Sequence, residues 1–311
     1  MKLRLGTRTS ALALAQSGRV ARLLEARGHE VELVHVQTAG DADTARPFAE
    51  VGAPGLFVRA LEQALIEGQV DFAVHSYKDL PSVSPDALSV AAVPEREDPR
   101  DRLLIAPDAF DPDAGGALPL REGARVGTAS ARRIALLHAL RPDVEPAFLR
   151  GNVDTRLARL DAGDYDAILL AAAGLNRLAA AGAAAAPERL HAVDLDPTLF
   201  VPAPSQGAVA CQARVDDTDT QAALAELDDA DAHRAVKLER RLLALVEAGC
   251  QSPFGAHARA VDPAAPGGLD LFAVLEHDDE LRRAHVACAE PAGEKDAARQ
   301  AYGALFAERR P

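Results

Sequence analysis

Arg8, Arg132, Arg133, Arg156 and Arg177 each fall at or just inside the start of a predicted helix, most of them directly after a predicted strand. A helix N-terminus carries partial positive charge and unpaired N–H donors, so a cation there is unfavourable unless an anion meets it. One such arginine means little. The recurrence points to strand-to-helix turns that bind a ligand rich in carboxylates or phosphates. Arg150-Gly-Asn152 with Arg156 forms one cluster, and Thr128, Ser130, Arg132 and Arg133 form another. A guanidinium grips a carboxylate through two parallel hydrogen bonds, which fixes orientation as well as charge. The alternative for any single arginine is a bridge to one of the chain's many acidic surface residues.

Two further positions carry reactive groups. Asp79 lies between Lys78 and Pro81 after a short apolar run, where a carboxylate can stabilise a developing cation or move a proton. It reads equally as a loop aspartate paired with Lys78. His75 reads as a packed strand-end residue rather than a base. Cys250 stands in the small-residue stretch Glu247-Ala-Gly-Cys-Gln-Ser-Pro253, where a thiol is accessible for thioether formation or simply passive. Cys211 and Cys288 sit in apolar strand patterns and read as inert core residues.

The 311 residues carry a net charge of −13 and only four lysines, Lys2, Lys78, Lys237 and Lys295. That balance opposes nucleic-acid binding, since phosphates are repelled, and it makes the gathered arginines more telling. No apolar run reaches the roughly 18–20 residues of a membrane span, and the N-terminus lacks a secretory pattern. Three scattered cysteines argue against a disulfide framework, and no Cys/His cluster has zinc-ligand spacing. A cytoplasmic protein without metal, membrane or nucleic-acid partner is expected.

The elements that must position these groups alternate as βα units. Strands are expected at 2–6, 31–36, 71–74, 125–128, 147–149 and 166–172, with helices over about 11–27, 57–67, 153–160 and from about 174. Ser130 caps a further helix. The stretch 40–55 reads as a mobile loop, 94–123 as a crossing between domains, and 197–204 as a Pro-rich link into a strand-like return near 205–211. From about 220 a separate module follows: a helix over 232–247, strands at 256–261, 269–276 and 283–289, and a terminal helix.

The ordered stretches Gly6-Thr-Arg-Thr-Ser-Ala-Leu-Ala-Leu14, Gly55-Leu-Phe-Val-Arg59, His75-Ser-Tyr-Lys-Asp-Leu-Pro81 and Glu95-Arg-Glu-Asp-Pro-Arg-Asp101 resemble the porphobilinogen deaminase (hydroxymethylbilane synthase) family. So do Gly127-Thr-Ala-Ser-Ala-Arg-Arg133, Leu149-Arg-Gly-Asn152 with Thr155-Arg156, Ala173-Gly-Leu-Asn-Arg-Leu178, Gln206-Gly-Ala208 and Gly249-Cys-Gln251. The resemblance covers nearly the whole chain. It implies a transferase that deaminates porphobilinogen and joins four molecules head to tail into hydroxymethylbilane. It also implies a dipyrromethane cofactor held by Cys250 as a thioether, and a monomer.

By the same resemblance Asp79 and Lys78 are catalytic. The cofactor contacts are Lys78, Ser76, Thr128, Ser130, Arg132, Arg133 and Arg156, and the substrate contacts Arg8, Ser10, Arg59, Arg150, Arg177 and Gln206. The implied α/β fold has two periplasmic-binding-protein-like domains around a cleft, residues 1–96 with 197–216 and residues 101–193. A small α+β domain, 220–311, presents the cysteine. Departures from the family pattern are Pro54 and Arg59 in place of lysines, Ala248 in place of the first glycine of Gly-Gly-Cys, and Ser205 where glycine is frequent. Two rivals stand beside this reading. A non-catalytic anion receptor on the same scaffold leaves Asp79 and Cys250 without a role, and a phosphoribosyl-type transferase needs a metal-phosphate site that the sequence does not show.

Overall fold

The computed structural model describes residues 1–36, 56–183, 186–246, 253–261, 267–289 and 293–307. The chain divides into two compact units, Met1–Glu97 with Ala208–His233, and Asp98–Gly207 with Arg234–Pro311. The sequence-drawn return segment began at 197, whereas the first unit resumes at Ala208.

The chain opens with β1 (Lys2–Thr7), α1 (Ala11–Glu25), β2 (Glu30–His35), α2 (Leu56–Ile66), β3 (Phe72–Ser76) and β4 (Leu88–Ala92). It continues into the second unit as β5 (Asp101–Ile105), β6 (Arg125–Gly127), α3 (Ala131–Leu140), β7 (Glu145–Ala147), α4 (Val153–Asp161), β8 (Ala167–Ala171), α5 (Ala172–Ala180) and β9 (His191–Asp194). β10 (Val209–Arg214) and α6 (Thr218–Ala225) return to the first unit. α7 (Ala230–Val246), β11 (Phe254–Ala260), β12 (Leu269–His277), β13 (Glu280–Cys288) and α8 (Glu294–Phe306) complete the chain.

The two five-stranded sheets share one plan. The orders are β2-β1-β3-β10-β4 and β7-β6-β8-β5-β9. In each, the second strand, β1 or β6, runs parallel to both of its neighbours, and the fourth strand, β10 or β5, is antiparallel to both of its own. The Phe-Ala-Val run of β3 is buried on both faces, as an interior parallel strand must be. Leu3, Leu5, Phe72 and Val74 meet Val20 and Leu24 of α1 and Leu224 of α6, while Ala73 meets Leu61 and Leu65 of α2. In the second unit Leu103, Val126 and Leu169 pack on Leu136 of α3, and Leu104, Ile168 and Leu170 on Leu157 and Leu160 of α4.

β11, β12 and β13 form an antiparallel meander. Asp278 and Asp279 join the last two strands, with φ of 53° and 59°. Positive φ at both residues is what a two-residue type I′ hairpin turn demands, and aspartate tolerates it. Leu238 and Leu242 of α7 and Ala301 and Leu305 of α8 cover this sheet at Leu271 and Leu275.

The region read as a crossing, 94–123, contains β5, whose Leu103, Leu104 and Ile105 are fully buried. The surrounding Pro, Asp and Gly residues obscure a run of only five residues. β4, β9 and α6 were likewise not expected. Arg177, placed at a helix start by the sequence, lies in the last turn of α5, because that helix begins at Ala172. There the helix dipole favours a cation.

Ser205 has φ 62°, the left-handed region that favours glycine, which accounts for glycine being frequent at this position. It is fully buried, its Oγ has no hydrogen-bond partner among the described residues, and its N–H donates to Glu239 Oε2 at 2.6 Å. Ser205→Gly should therefore raise stability by about 1 kcal/mol, relief of strain and of the orphaned hydroxyl exceeding the entropy cost of glycine. Thermal unfolding should show a gain of roughly 2 °C; a lower Tm would mean that the serine is accommodated without strain.

Candidate active site

In the first unit the functional side chains collect beyond the carboxyl ends of β1 and β3, the strands at which the chain order reverses and where open α/β sheets place their ligands. Arg8 follows β1, and Ser10 caps α1 by accepting the Ala13 N–H at 3.4 Å. Ser76 ends β3 and is held by Gln16 of α1, whose Nε2 donates to Ser76 Oγ at 2.9 Å. One turn of 3-10 helix, Tyr77–Asp79, follows. It is closed by the Leu80 N–H on the Tyr77 carbonyl at 3.2 Å, and the Tyr77 N–H donates to the Ala208 carbonyl at 3.1 Å. Tyr77 is buried, so the turn is anchored while Lys78 and Asp79 reach solvent.

The Asp79 carboxyl is pushed above the usual carboxylate value by desolvation, which outweighs the opposing pull of Lys78 and Arg8. Behind it, burial pushes His75 down to about 4, against a weaker opposing hydrogen bond from Gln212. That imidazole is neutral at ordinary pH, in keeping with a packed residue. Gln212 Nε2 in turn donates to Glu62 Oε1 of α2 at 3.2 Å, so a buried polar chain underlies the Tyr77–Asp79 turn. Arg59 lies on the exposed surface of the same helix, while Pro54 and the stretch expected as a mobile loop lie outside the described residues.

The second unit repeats the placement beyond β6, β7 and β8, with one difference that the sequence did not reveal. Asp101, the first residue of β5, is 0% exposed and accepts from Arg132 Nη1 at 2.7 Å and Arg133 Nη2 at 2.7 Å. Arg132 Nη1 also donates to the Val201 carbonyl at 2.8 Å, and Arg133 Nη1 to the Leu169 carbonyl at 2.7 Å. Gln206 Nε2 donates to Asp101 Oδ1 at 3.0 Å and to the Pro99 carbonyl at 2.8 Å. The anion that the first turn of α3 requires is thus supplied from within. Arg132 and Arg133 are only 5% and 6% exposed, and Gln206, expected on the substrate, has its amide turned inward.

Burial pushes the Asp101 carboxyl up, but the two guanidiniums more than reverse this and hold it well below the usual carboxylate range. Two cations against one carboxylate leave the cluster one positive charge.

Thr128 is buried, with Oγ1 accepting the Ser130 N–H at 3.2 Å, and Ser130 Oγ caps α3 at the Arg133 N–H at 3.5 Å. Arg177 is buried and donates from Nη2 to the Gly207 carbonyl at 2.6 Å.

Arg150 and Arg156 behave differently. Gly151 has φ 117°, a conformation closed to other residues, and a Cβ there would meet Thr155 at 3.1 Å. This bend turns the chain from β7 into α4 and lets Arg156 Nε donate to the Gly151 carbonyl at 2.8 Å. Burial, then Arg133 and Arg150, push the pKa of Arg156 down, with no carboxylate acting in the other direction. Among the described residues neither Arg150 nor Arg156 forms an ion pair. An arginine pushed down by burial and by neighbouring cations, with no carboxylate partner among the described residues, is suited to an external polyanion.

Cys211 and Cys288 are buried, and burial followed by Asp228 pushes the Cys211 thiol up to about 12. Cys250 and Ala248 lie outside the described residues, between the end of α7 at Val246 and the start of β11 at Phe254. Sequence reasoning also missed Glu239, buried on α7, which accepts the Ser205 N–H and the Ala258 N–H at 2.7 Å. The available signal was an acid on the apolar stripe of a helix.

Asp101→Asn should cost about 3–5 kcal/mol in denaturant unfolding, because two buried guanidiniums lose the carboxylate they share. The folded pKa of Asp101 is depressed, so its contribution is present above the unfolded carboxylate value and is lost as pH falls through the folded one. The gap between wild type and variant should therefore narrow below about pH 4. A gap independent of pH would exclude the ion-pair account.

A family model described as porphobilinogen deaminase, dipyromethane cofactor binding domain, matches residues 3–222, and one for the C-terminal domain of porphobilinogen deaminase matches residues 233–301. The porphobilinogen deaminase of Syntrophobacter fumaroxidans is 46% identical over 286 residues, covering 91% of this chain and 87% of the relative. Porphobilinogen deaminase 1 of Streptomyces avermitilis is 48% identical over 82% of this chain and 78% of its own length, and the porphobilinogen deaminase of Mycobacterium avium 47% identical over 84% and 78%. Among solved structures, the periplasmic VFT2 domain of Bordetella pertussis BvgS aligns with a TM-score of 0.39 at 16% identity, over 73% of this chain and 86% of that one. With both family models matched in order along nearly its whole length, this chain belongs to the porphobilinogen deaminase family.

Proposed function

We infer that this chain is a hydroxymethylbilane synthase, a transferase of tetrapyrrole biosynthesis that condenses porphobilinogen head to tail. The observation that carries the site assignment is the Arg150–Arg156 cluster, cationic and without a carboxylate partner among the described residues. Each porphobilinogen brings an acetate and a propionate, so the growing chain is a polyanion, and a protein of net charge −13 needs local cations to hold it.

The donor set fits a dipyrromethane group, which carries the same carboxylates. Lys78 and Ser76 in the first unit, and Thr128, Ser130, Arg132, Arg133 and Arg156 in the second, would hold it, with Cys250 as its thioether attachment. Arg132 and Arg133 act through the residual positive charge of the Asp101 cluster. When bound, the dipyrromethane supplies the pyrrole carbon that begins the chain. Arg8, Ser10, Arg59, Arg150, Arg177 and Gln206 serve the substrate, the buried Arg177 and Gln206 by fixing the backbone around Gly207 and Pro99. A third domain over 220–311, bearing Cys250, completes the assignment.

Each condensation breaks the C–N bond of one aminomethyl group, forms one C–C bond and releases ammonia, while the acceptor carbon loses its proton. Asp79 carries the central role. A carboxyl with a raised pKa can give a proton to the departing amine, and as carboxylate it stabilises the cation left on the pyrrole. Lys78 keeps that carboxyl from rising further and offers a cation to the side-chain carboxylates.

A non-catalytic anion receptor would use the same arginines but gives Asp79 no work. Asp79→Asn should therefore retain its Tm and its covalent cofactor while kcat falls by about 10²–10⁴. The acid limb of the wild-type profile, set by a group above the usual carboxylate value, should vanish. Wild-type turnover in this variant would remove Asp79 from the reaction.

A further inference from the structure

Phe148 is a large apolar side chain that the reaction has not used, and it sits beside the cationic cluster. It is 70% exposed, while its neighbours Ala147 and Leu149 are buried. Strand alternation therefore turns the ring outward at the carboxyl end of β7. Its backbone is fixed, since the Tyr165 hydroxyl donates to the Phe148 carbonyl at 2.7 Å. Arg150, two residues on, projects to the same side and lays its guanidinium 5.5 Å from the ring centroid. Single exposed apolar residues are ordinary on protein surfaces. This one has an anchored backbone and a guanidinium against its ring, and it directly follows the edge strand β7.

We propose that Phe148 is a ring-stacking residue for a carboxylate-bearing pyrrole, working with Arg150 as one recognition unit. The Phe148 ring offers a flat face to the pyrrole, and the guanidinium of Arg150 takes the carboxylate that branches from it. A substrate combining an aromatic ring with adjacent acidic arms matches both halves, whereas a simple phosphate or dicarboxylate would use only the arginine. The inference rests on the reading that Arg150 and Arg156 receive the carboxylates of porphobilinogen and its oligomers.

The test compares Phe148→Ser, Phe148→Leu and Phe148→Trp with Arg150→Gln in the cofactor-loaded protein. Tm, KM and kcat for porphobilinogen would be measured together with the masses of the covalent elongation intermediates. Stacking on an exposed ring predicts unchanged Tm and retained cofactor in all three Phe148 variants. It also predicts KM about 2- to 10-fold higher for the serine and leucine variants, with little change in kcat. Their distribution of chain lengths should shift toward the step at which the ring is seated.

The tryptophan variant should restore KM to within about twofold of wild type, since the larger ring stacks as well. In a chain that otherwise has no tryptophan, its fluorescence should respond when porphobilinogen is added. Wild-type KM and intermediate masses in the serine and leucine variants, with Arg150→Gln impaired, would overturn the stacking role and leave the arginine reading standing. If Arg150→Gln were also unimpaired, the reading of the arginines would fall, and the stacking role with it.

Discussion

The second unit is built around one carboxylate shared by two buried guanidiniums. Asp101 lies at the first residue of β5, Arg132 and Arg133 in the first turn of α3, and Gln206 two residues before the chain returns to the first unit. Removing the carboxylate leaves both guanidiniums buried without it, which is far costlier than the loss of a surface ion pair. The cluster therefore fixes the start of a strand, the start of a helix and the backbone around Pro99 and Gln206 at once. It also settles an electrostatic problem particular to this fold, since cations at a helix N-terminus are stable here because the opposing charge belongs to the protein.

From that constraint the arginines separate by surroundings rather than by position in sequence. Arg132, Arg133 and Arg177 are interior, bonded to Asp101 or to backbone carbonyls. Arg156 bonds a backbone carbonyl at a glycine bend, and among the described residues neither it nor Arg150 pairs with a carboxylate. In the first unit the same division appears in miniature. Gln16, Ser76 and the buried Tyr77 anchor the turn, and Lys78 and Asp79 stand out from it. A rigid support under a few exposed charges suits chemistry in which a carboxylate must meet a developing cation at a fixed place.

The βα alternation was legible because parallel strands such as Phe72–Ser76 are unbroken apolar runs and the helices between them carry clear stripes. β5 and β9 were hidden, the first by surrounding proline, aspartate and glycine, the second because His191-Ala-Val-Asp194 is too short to show a period. The residues proposed for the site come as a set from family resemblance, and elementary electrostatics marks the arginines at helix starts as needing an anion. What could not be read was the division of labour among the arginines. It depends on Asp101, an acid 31 residues from Arg132 in sequence, and on burial that no local pattern reveals. The glycine-like conformation of Ser205 was visible only as a departure from the family pattern and became a physical fact only in its φ of 62°.

The most direct measurement is the intact mass of the denatured protein beside a Cys250→Ser variant, both after incubation with porphobilinogen. The account predicts that the native chain exceeds its sequence mass by two condensed pyrrole units and that the variant does not. An unmodified native chain would contradict it, leaving a two-unit α/β scaffold with arginine-lined strand ends but without the covalent primer on which the reaction depends.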